Sequence, residues 1–467
     1  MATVPTSSIS FSQISSVMGL SGTVSLSQLA PLGGLSKINT NVGGFAGGQK
    51  AMVSGLQYRV FGFYGSAGYY FADDPNWFNT RTENYSGTSS NFSSIYDGTA
   101  GVVPNNGSWE SYSVEWTGYF YATVTGTHIF YIQSDDAGYM WMGATALTGF
   151  TTANCLINNG GGHPVQQAQG SISLTAGTYY PIRIQFGEGG GGDNCYISFE
   201  APTISRIYNL TGYVYHPLGT KSAFPGYSAR LIKGAGGTTT DQLYYINVNG
   251  VSTPTYCLMD NKWNGGGWMM MMKATRSTTF NFGSTYWTDT NTTLNTGSTD
   301  RSDADAKFNV MNFGLVKDVL AVWPDVGYEG GSIPSTGAWT WLVNNYYGGG
   351  SKVSVIDGFS SANTRDSPDS PDPLNYSGYS TAIWSSQNPS RRHVFGGGYH
   401  LNVYGAPNLH VRWGFMFNEN AFNDYTSIDV LGGIGIDSRA YSAGDVLNCC
   451  QTYTGLNRSM RVELYGR

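Results

Sequence analysis

From residue 111 to residue 199, apolar and polar side chains alternate in short runs broken by glycine. A period of two places successive side chains on opposite faces of a strand. It predicts strands over 111–117, 118–124, 127–133, 138–142, 169–174, 178–186 and 195–199, with an earlier one at 56–63. Gly126-Thr127 and Ala176-Gly177-Thr178 supply tight turns that set the register. Short strands at regular spacing indicate a β-sandwich or barrel and argue against helical or βαβ folds. Beyond residue 226, strand-like runs recur at 228–233, 241–246, 256–260 and 265–269. The chain closes on an alternating run, 457–465, expected to return and pair within the last sheet. Near the start, Ile9-Ser10-Phe11-Ser12-Gln13 is echoed by Val24-Ser25-Leu26-Ser27-Gln28, and this alternation predicts two short strands.

These runs divide the chain into a segment at 1–50, a β-sandwich at 51–205, a linker at 206–226 and a second domain at 227–467. Residues 1–50 are rich in Ser and Gly and too small for a core of their own. They read either as a disordered tail or as a segment ordered by docking onto a particle.

Composition sharpens this picture. Glycine accounts for 64 of 467 residues and aromatics for 14%, while only 12% are charged, a mix that favours strands and turns. Rings with a stacking face and a polar tip suit contact with sugars or proteins. The net charge of −6 argues against a nucleic-acid partner. No apolar run reaches about 18 residues, so membrane insertion is not expected. The beginning of the sequence shows no basic and apolar export signal. Five scattered cysteines do not make a disulfide framework. Cys155 and Cys195 stay open between a bridge and two buried thiols, and for the neighbours Cys449 and Cys450 reduced or separately paired thiols are the expectation.

Candidate chemistry centres on Asp135-Asp136, held between the runs 127–133 and 139–142. Two adjacent carboxylates repel unless a hard cation with oxygen ligands sits between them; the plainer reading is a solvated turn. The order Val114-Glu115-Trp116-Thr117-Gly118-Tyr119-Phe120, Gly126-Thr127-His128-Ile129-Phe130, Ser134-Asp135-Asp136 and Tyr139-Met140-Trp141-Met142-Gly143 resembles GLEYA-type adhesin domains of the protective-antigen-like lectin superfamily. That resemblance implies a calcium ion chelated by Asp135 and Asp136 across a cis peptide, with a sugar diol on the same ion. It places a second ligand loop at 187–194, where Glu188, Asp193 and Asn194 are the available oxygens. The four-glycine run 189–192 offers no bulky side chain to shape a sugar subsite. Tyr139 and Trp141 are expected to contact the ligand.

Farther along, Tyr256-Cys257-Leu258-Met259 followed by Gly265-Gly266-Gly267-Trp268 is similar to the opening of fibrinogen-related domains. There glycines permit positive φ and close packing, and the Trp anchors a small core. Cys257 lacks the upstream partner usual in that family. The remainder is distantly similar to intelectins, which implies a second calcium or ligand site around His400, Asn418, Glu419 and Asp429. Those polar groups also suit the satisfaction of buried backbone in long loops. The acidic, proline-bearing stretch 366–373 reads as a stiff spacer.

The expected fold is therefore mainly β: a short N-terminal docking segment, a lectin-like β-sandwich, and a fibrinogen-like α+β domain with long loops. No phosphate loop, zinc spacing or nucleophile elbow is present, so an enzyme is not expected. Residues 1–50 resemble the leader of tailed-phage structural proteins. This implies a fibre or adhesin on the virion, contacting other virion proteins through that segment and host-surface glycans through its β domains. Homo-oligomers are common in such fibres. The alternative is a structural fibre or decoration protein that binds no ligand.

Overall fold

A computed structural model of the chain describes residues 3–4, 9–21, 24–35, 50–62, 74–92, 111–236, 239–324, 339–343, 353–356, 400–405, 409–417, 430–437, 440–447 and 459–467. The protein is mainly β. It divides into two compact units, Met1–Pro254 and Thr255–Arg467, a boundary later in the chain than residue 227.

The first unit opens with α1 (Phe11–Met18) and α2 (Leu26–Leu32), where the alternation predicted strands. The Ser-x-x-Gln spacing decides the outcome. Gln13 Oε1 accepts from the Ser10 N–H at 2.8 Å while Ser10 Oγ accepts from the Gln13 N–H at 3.3 Å. Gln28 Oε1 likewise accepts from the Ser25 N–H at 2.7 Å. Such capping boxes satisfy donors that a helix start leaves open. Gly19 then ends α1 at φ +73°. Ile14, Met18, Leu29 and Ala30 form a small cluster of their own between the two helices.

The sandwich follows. Its strands are β1 (Met52–Ser54), β2 (Leu56–Gly62), β3 (Tyr85–Ser89), β4 (Tyr112–Tyr121), β5 (Gly126–Asp135) and β6 (Ala137–Met142). They continue with β7 (Ile157–Asn159), β8 (Gln166–Leu174), β9 (Tyr179–Glu188), β10 (Asn194–Ala201), β11 (Ile204–Ile207) and β12 (Val214–Pro217). One sheet runs β1–β12–β4–β9–β6–β7, with β2 joining β4 to β3; the other runs β11–β10–β5–β8. Trp116, Phe120, Phe130, Ile132, Ile184, Phe186, Ile197 and Phe199 fill the space between the sheets. A second layer made of Phe61, Phe78, Tyr139, Trp141 and Phe150 covers the outer face of the larger sheet. This is why β6 is buried on both faces and loses clean alternation.

Two sequence expectations change here. The predicted strands 111–117 and 118–124 are one strand, β4, because Gly118 marks a close approach and not a turn. A Cβ at Gly118 would lie 2.4 Å from the Tyr215 carbonyl oxygen of neighbouring β12. Gly118→Ala is expected to destabilise the unit by about 1–3 kcal/mol, read as a lower thermal midpoint. The expected linker 206–226 supplies β12, whose Val214 and Tyr215 pair with Phe120 and Tyr119.

The face of β4 away from the central core carries a buried ion network. Glu115 receives hydrogen bonds from the guanidinium groups of both Arg59 and Arg183, and Gln185 Nε2 donates to it at 3.0 Å. Both arginines sit close to aromatic rings, Arg59 over Phe61 at 5.1 Å and Arg183 over Phe150 at 4.1 Å. After the sandwich come α3 (Ala229–Gly236), β13 (Gln242–Val248) and β14 (Val251–Leu258), the last running across the unit boundary.

In the second unit the strands are β15 (Trp268–Ala274), β16 (Ala306–Lys307), β17 (Leu315–Val316), β18 (Val319–Trp323), β19 (Trp339–Val343) and β20 (Val353–Ser354). Then follow β21 (His400–Gly405), β22 (Leu409–Phe417), β23 (Val430–Ile436), β24 (Ala443–Leu447) and β25 (Val462–Gly466), with one short helix, α4 (Asn309–Phe313). Terminal β25 is a strand, as its alternation predicted, and it lies between β15 and β18. Strands β21 to β24 form an antiparallel sheet in sequential order. Gly265, Gly266 and Gly267 all take positive φ, and the Trp268 that follows is fully buried against Trp263, Met270 and Tyr465. A Cβ at Gly266 would meet the Met259 carbonyl oxygen at 2.4 Å, so glycine is required there. Cys155, Cys195 and Cys257 are free thiols. Cys449, Cys450 and the stretch 366–373 lie outside the described residues.

Candidate metal centre

The chain passes from the smaller sheet to the larger one between β5 and β6, and Asp135-Asp136 form that junction. Their peptide bond is cis. Register brings the partners in. Asn194, first in β10, faces Asp135; Gly187 of β9 faces Ala137, leaving Glu188 one position beyond. One oxygen each of Asp135, Asp136 and Glu188 lies within 4.8 Å of the other two.

The three carboxylates are held differently. Asp136 Oδ1 accepts from the His163 N–H at 2.9 Å, and its Oδ2 from the Gly189 N–H at 3.1 Å. These backbone donors fix its orientation. Glu188 is 1% exposed, and neither of its carboxylate oxygens has a hydrogen-bond partner that meets normal geometry. Burial, followed by the charges of Asp136, Asp193 and Asp135, pushes its carboxyl up to about 8; only the Gly190 N–H acts the other way. Burial and then neighbouring Asp136 also raise Asp135. Asn194 Oδ1 is another buried acceptor without a donor. Asp193 Oδ2 accepts from the Tyr112 hydroxyl at 2.7 Å, and its charge acts on both Glu188 and Asp135.

Buried acceptors lacking donors normally cost free energy, and ionised ones cost more. A hard divalent cation removes that cost, because it is bound by oxygens alone and tolerates irregular geometry. The donor set here, three carboxylates and the Asn194 amide oxygen, is all oxygen and contains no sulfur or imidazole nitrogen. The residues present therefore fit calcium. Glycines flank the group: a Cβ at Gly192 would be 3.9 Å from Asp135 Oδ2, and one at Gly162 would be 3.7 Å from Asp136 Oδ1.

Residues 112–201 match the GLEYA domain. The matched stretch runs from β4 to the last residue of β10 and contains all three converging carboxylates. No curated protein matches the chain. Among solved structures, the chain is similar to the epithelial adhesin 6 A domain of Candida glabrata, in complex with Galb1-3GlcNAc. Identity is 19%, coverage 39% of this chain and 90% of that one, and the TM-score 0.29. A PA14 sugar-binding domain from an RTX adhesin gives 14% identity over 33% of this chain and 94% of that one, at TM-score 0.25. An anti-sigma factor domain-containing protein from Clostridium clariflavum gives 20% identity over 38% of this chain, at TM-score 0.27. The chain spans about half of that protein, 52%.

The GLEYA stretch brings together Asp135, Asp136 and Glu188 and places Asn194 beside them, while Asp193 turns to Tyr112. Two expected ligand contacts are corrected. Tyr139 and Trp141 are 0% exposed in the layer outside the larger sheet, so neither ring reaches a ligand. Trp141 Nε1 donates to the Thr151 carbonyl at 2.8 Å, and Tyr139 packs so tightly on Gly160 that a Cβ there would meet its hydroxyl oxygen at 2.0 Å. Sequence reading missed the loop after β7, whose His163 N–H orients Asp136; the only signal was Gly160-Gly161-Gly162-His163-Pro164, a second glycine run. For the expected second site, His400 begins β21 opposite Gly414, and Asn418, Glu419 and Asp429 lie outside the described residues.

Proposed function

We propose that the protein is an adhesin whose GLEYA stretch binds a terminal sugar of a surface glycan through calcium held by Asp135, Asp136 and Glu188, with Asn194 beside them. The observation that carries this reading is Glu188: a carboxyl group 1% exposed, with no hydrogen-bond partner of normal geometry, close to two further carboxylates. Calcium bound there would offer vacant coordination positions to a vicinal diol. The chain's own residues prepare the place: the backbone donors of His163 and Gly189 hold Asp136, and the glycines at 161–162 and 191–192 leave the carboxylates uncovered by side chains. The similar adhesin domain from Candida glabrata was solved with a disaccharide, which supports a sugar as the ligand class. The same reading assigns no enzymatic step to the chain. It sets the adhesin on a phage particle, with residues 1–50 as the attachment segment; support for this setting is the composition of that segment.

The glycine-filled loop 189–192 favours a second reading, a structural virion component that keeps the scaffold without binding sugar. A glycan array run in calcium and again in chelator separates the two. The adhesin reading expects binding to terminal-diol glycans in calcium and none in chelator. No binding in either condition leaves the structural reading.

A further inference from the structure

The outer face of the four-stranded sheet continues directly from the Asp135-Asp136 junction. On β5, Gln133 points to the same side as Asp135, and cross-strand pairing sets Tyr196 and Gln167 beside it. One step farther, Tyr131 lies next to Ser198 and Gln169. The inward-facing alternates Ile132, Cys195 and Ile197 belong to the core, which fixes the outward direction of the others. Gln133, Tyr196, Gln167 and Gln169 of this strip offer amides and a phenol, groups that hydrogen-bond and stack on sugars, while Tyr131 and Ser198 are buried beneath it.

One cation is built into it. The Arg206 guanidinium from β11 lies over the Tyr131 ring at 3.9 Å. Its Nε donates to Ser198 Oγ at 2.9 Å and its Nη2 to Gln167 Oε1 at 2.7 Å, so the group reaches across β10 and β5 toward β8. The ring of Tyr208, 40% exposed, lies 5.3 Å from the same guanidinium. Two of the five guanidinium N–H donors are thus used in fixing it, and three remain. Glu200, a carboxylate on this face, accepts from the Tyr131 hydroxyl at 2.9 Å, and no ion pair between it and Arg206 forms among the described residues. A planar fork held by stacking and two hydrogen bonds is preorganised for a carboxylate or sulfate.

Gln133 is two residues from Asp135, roughly 7 Å along a strand. The guanidinium, stacked on Tyr131 and hydrogen-bonded to Gln167 opposite Gln133, therefore lies two to four strand residues from Asp135, roughly 7–14 Å along β5. We propose that this face is an extended subsite for an acidic glycan, whose terminal diol sits at Asp135-Asp136 and a following unit of which carries a carboxylate or sulfate bound by Arg206. The inference rests on the adhesin reading above and adds to it the charge class of the ligand.

The experiment uses the full chain in calcium on an array that pairs neutral galactosides with their uronate-bearing and sulfated counterparts. Wild type is expected to bind the acidic members roughly five to ten times more tightly than the neutral ones. Arg206→Gln is expected to erase that preference while neutral binding holds, and Arg206→Lys to keep part of it. Unchanged thermal midpoints confirm that the sheet is intact in both. Equal wild-type affinity for neutral and acidic members overturns the acidic subsite alone, as does an Arg206→Gln variant that keeps the preference. Equal loss of neutral and acidic binding in that variant, with its fold intact, overturns it too. No binding to any member overturns the adhesin reading and this subsite with it.

Discussion

Asp136→Asn is expected to weaken calcium binding by more than about a hundredfold and to abolish calcium-dependent glycan binding. The variant removes one of three converging carboxylates and turns an amide N–H toward either the cation or the backbone donors of His163 and Gly189. Two measurements separate this from simple unfolding. In chelator, the variant is expected to be at least as stable as wild type, because neutralising Asp136 relieves its repulsion with Asp135 and Glu188. In calcium at about a hundred times the dissociation constant, wild type gains about 2.7 kcal/mol. For a unit of this size that raises the thermal midpoint by roughly 5–10 °C, and the variant is expected to gain nothing. A variant that still rises with calcium would place the ion elsewhere.

The second large effect concerns the scaffold beneath the site. Glu115→Ala is expected to destabilise the first unit by about 3–5 kcal/mol, because Arg59 and Arg183 are left buried without their anion. Chemical denaturation followed by circular dichroism measures it, and a change below about 1 kcal/mol would show that the arginines find other partners. The network also predicts an acid limit. Burial works to raise the Glu115 carboxyl, and the charges of Arg183 and Arg59 outweigh it and hold it at about 2, below the ordinary 4.5. A group depressed in the folded state stabilises it fully above its unfolded pKa, and that contribution disappears as pH falls from about 4.5 to about 2. His216, buried and pushed down to about 4 from 6.5, adds an earlier loss over pH 6.5 to 4. Glu115→Gln should remove the lower step and leave the upper one.

Much of the sandwich was legible because period-two alternation survives wherever one face of a strand meets solvent. β5 and β10 carry it, and both were predicted within a few residues. β6 carries less of it, since a second apolar layer buries its outer face. That same layer took Tyr139 and Trp141 away from the ligand, which no local pattern signals. At the N-terminus the alternation was outvoted by a local rule, the Ser10–Gln13 and Ser25–Gln28 capping boxes, which was readable in the sequence and decided for helix.

The sequence by itself determined the β class, the Asp135-Asp136 pair at a turn, the glycine-bound Trp268 anchor and the strand character of the terminal run. Each is a short-range matter of periodicity, turn chemistry or adjacent residues. Only the tertiary structure decided which oxygens meet. Glu188, 52 positions after Asp136 in the chain, reaches it because β9 pairs with β6, while one oxygen of Asp193 is held by Tyr112 from β4. Likewise, Arg206 reaches Gln167 only because β11, β10, β5 and β8 lie side by side. Cross-strand neighbours are set by the pairing of distant segments, and the spacing of residues along one strand carries no record of it.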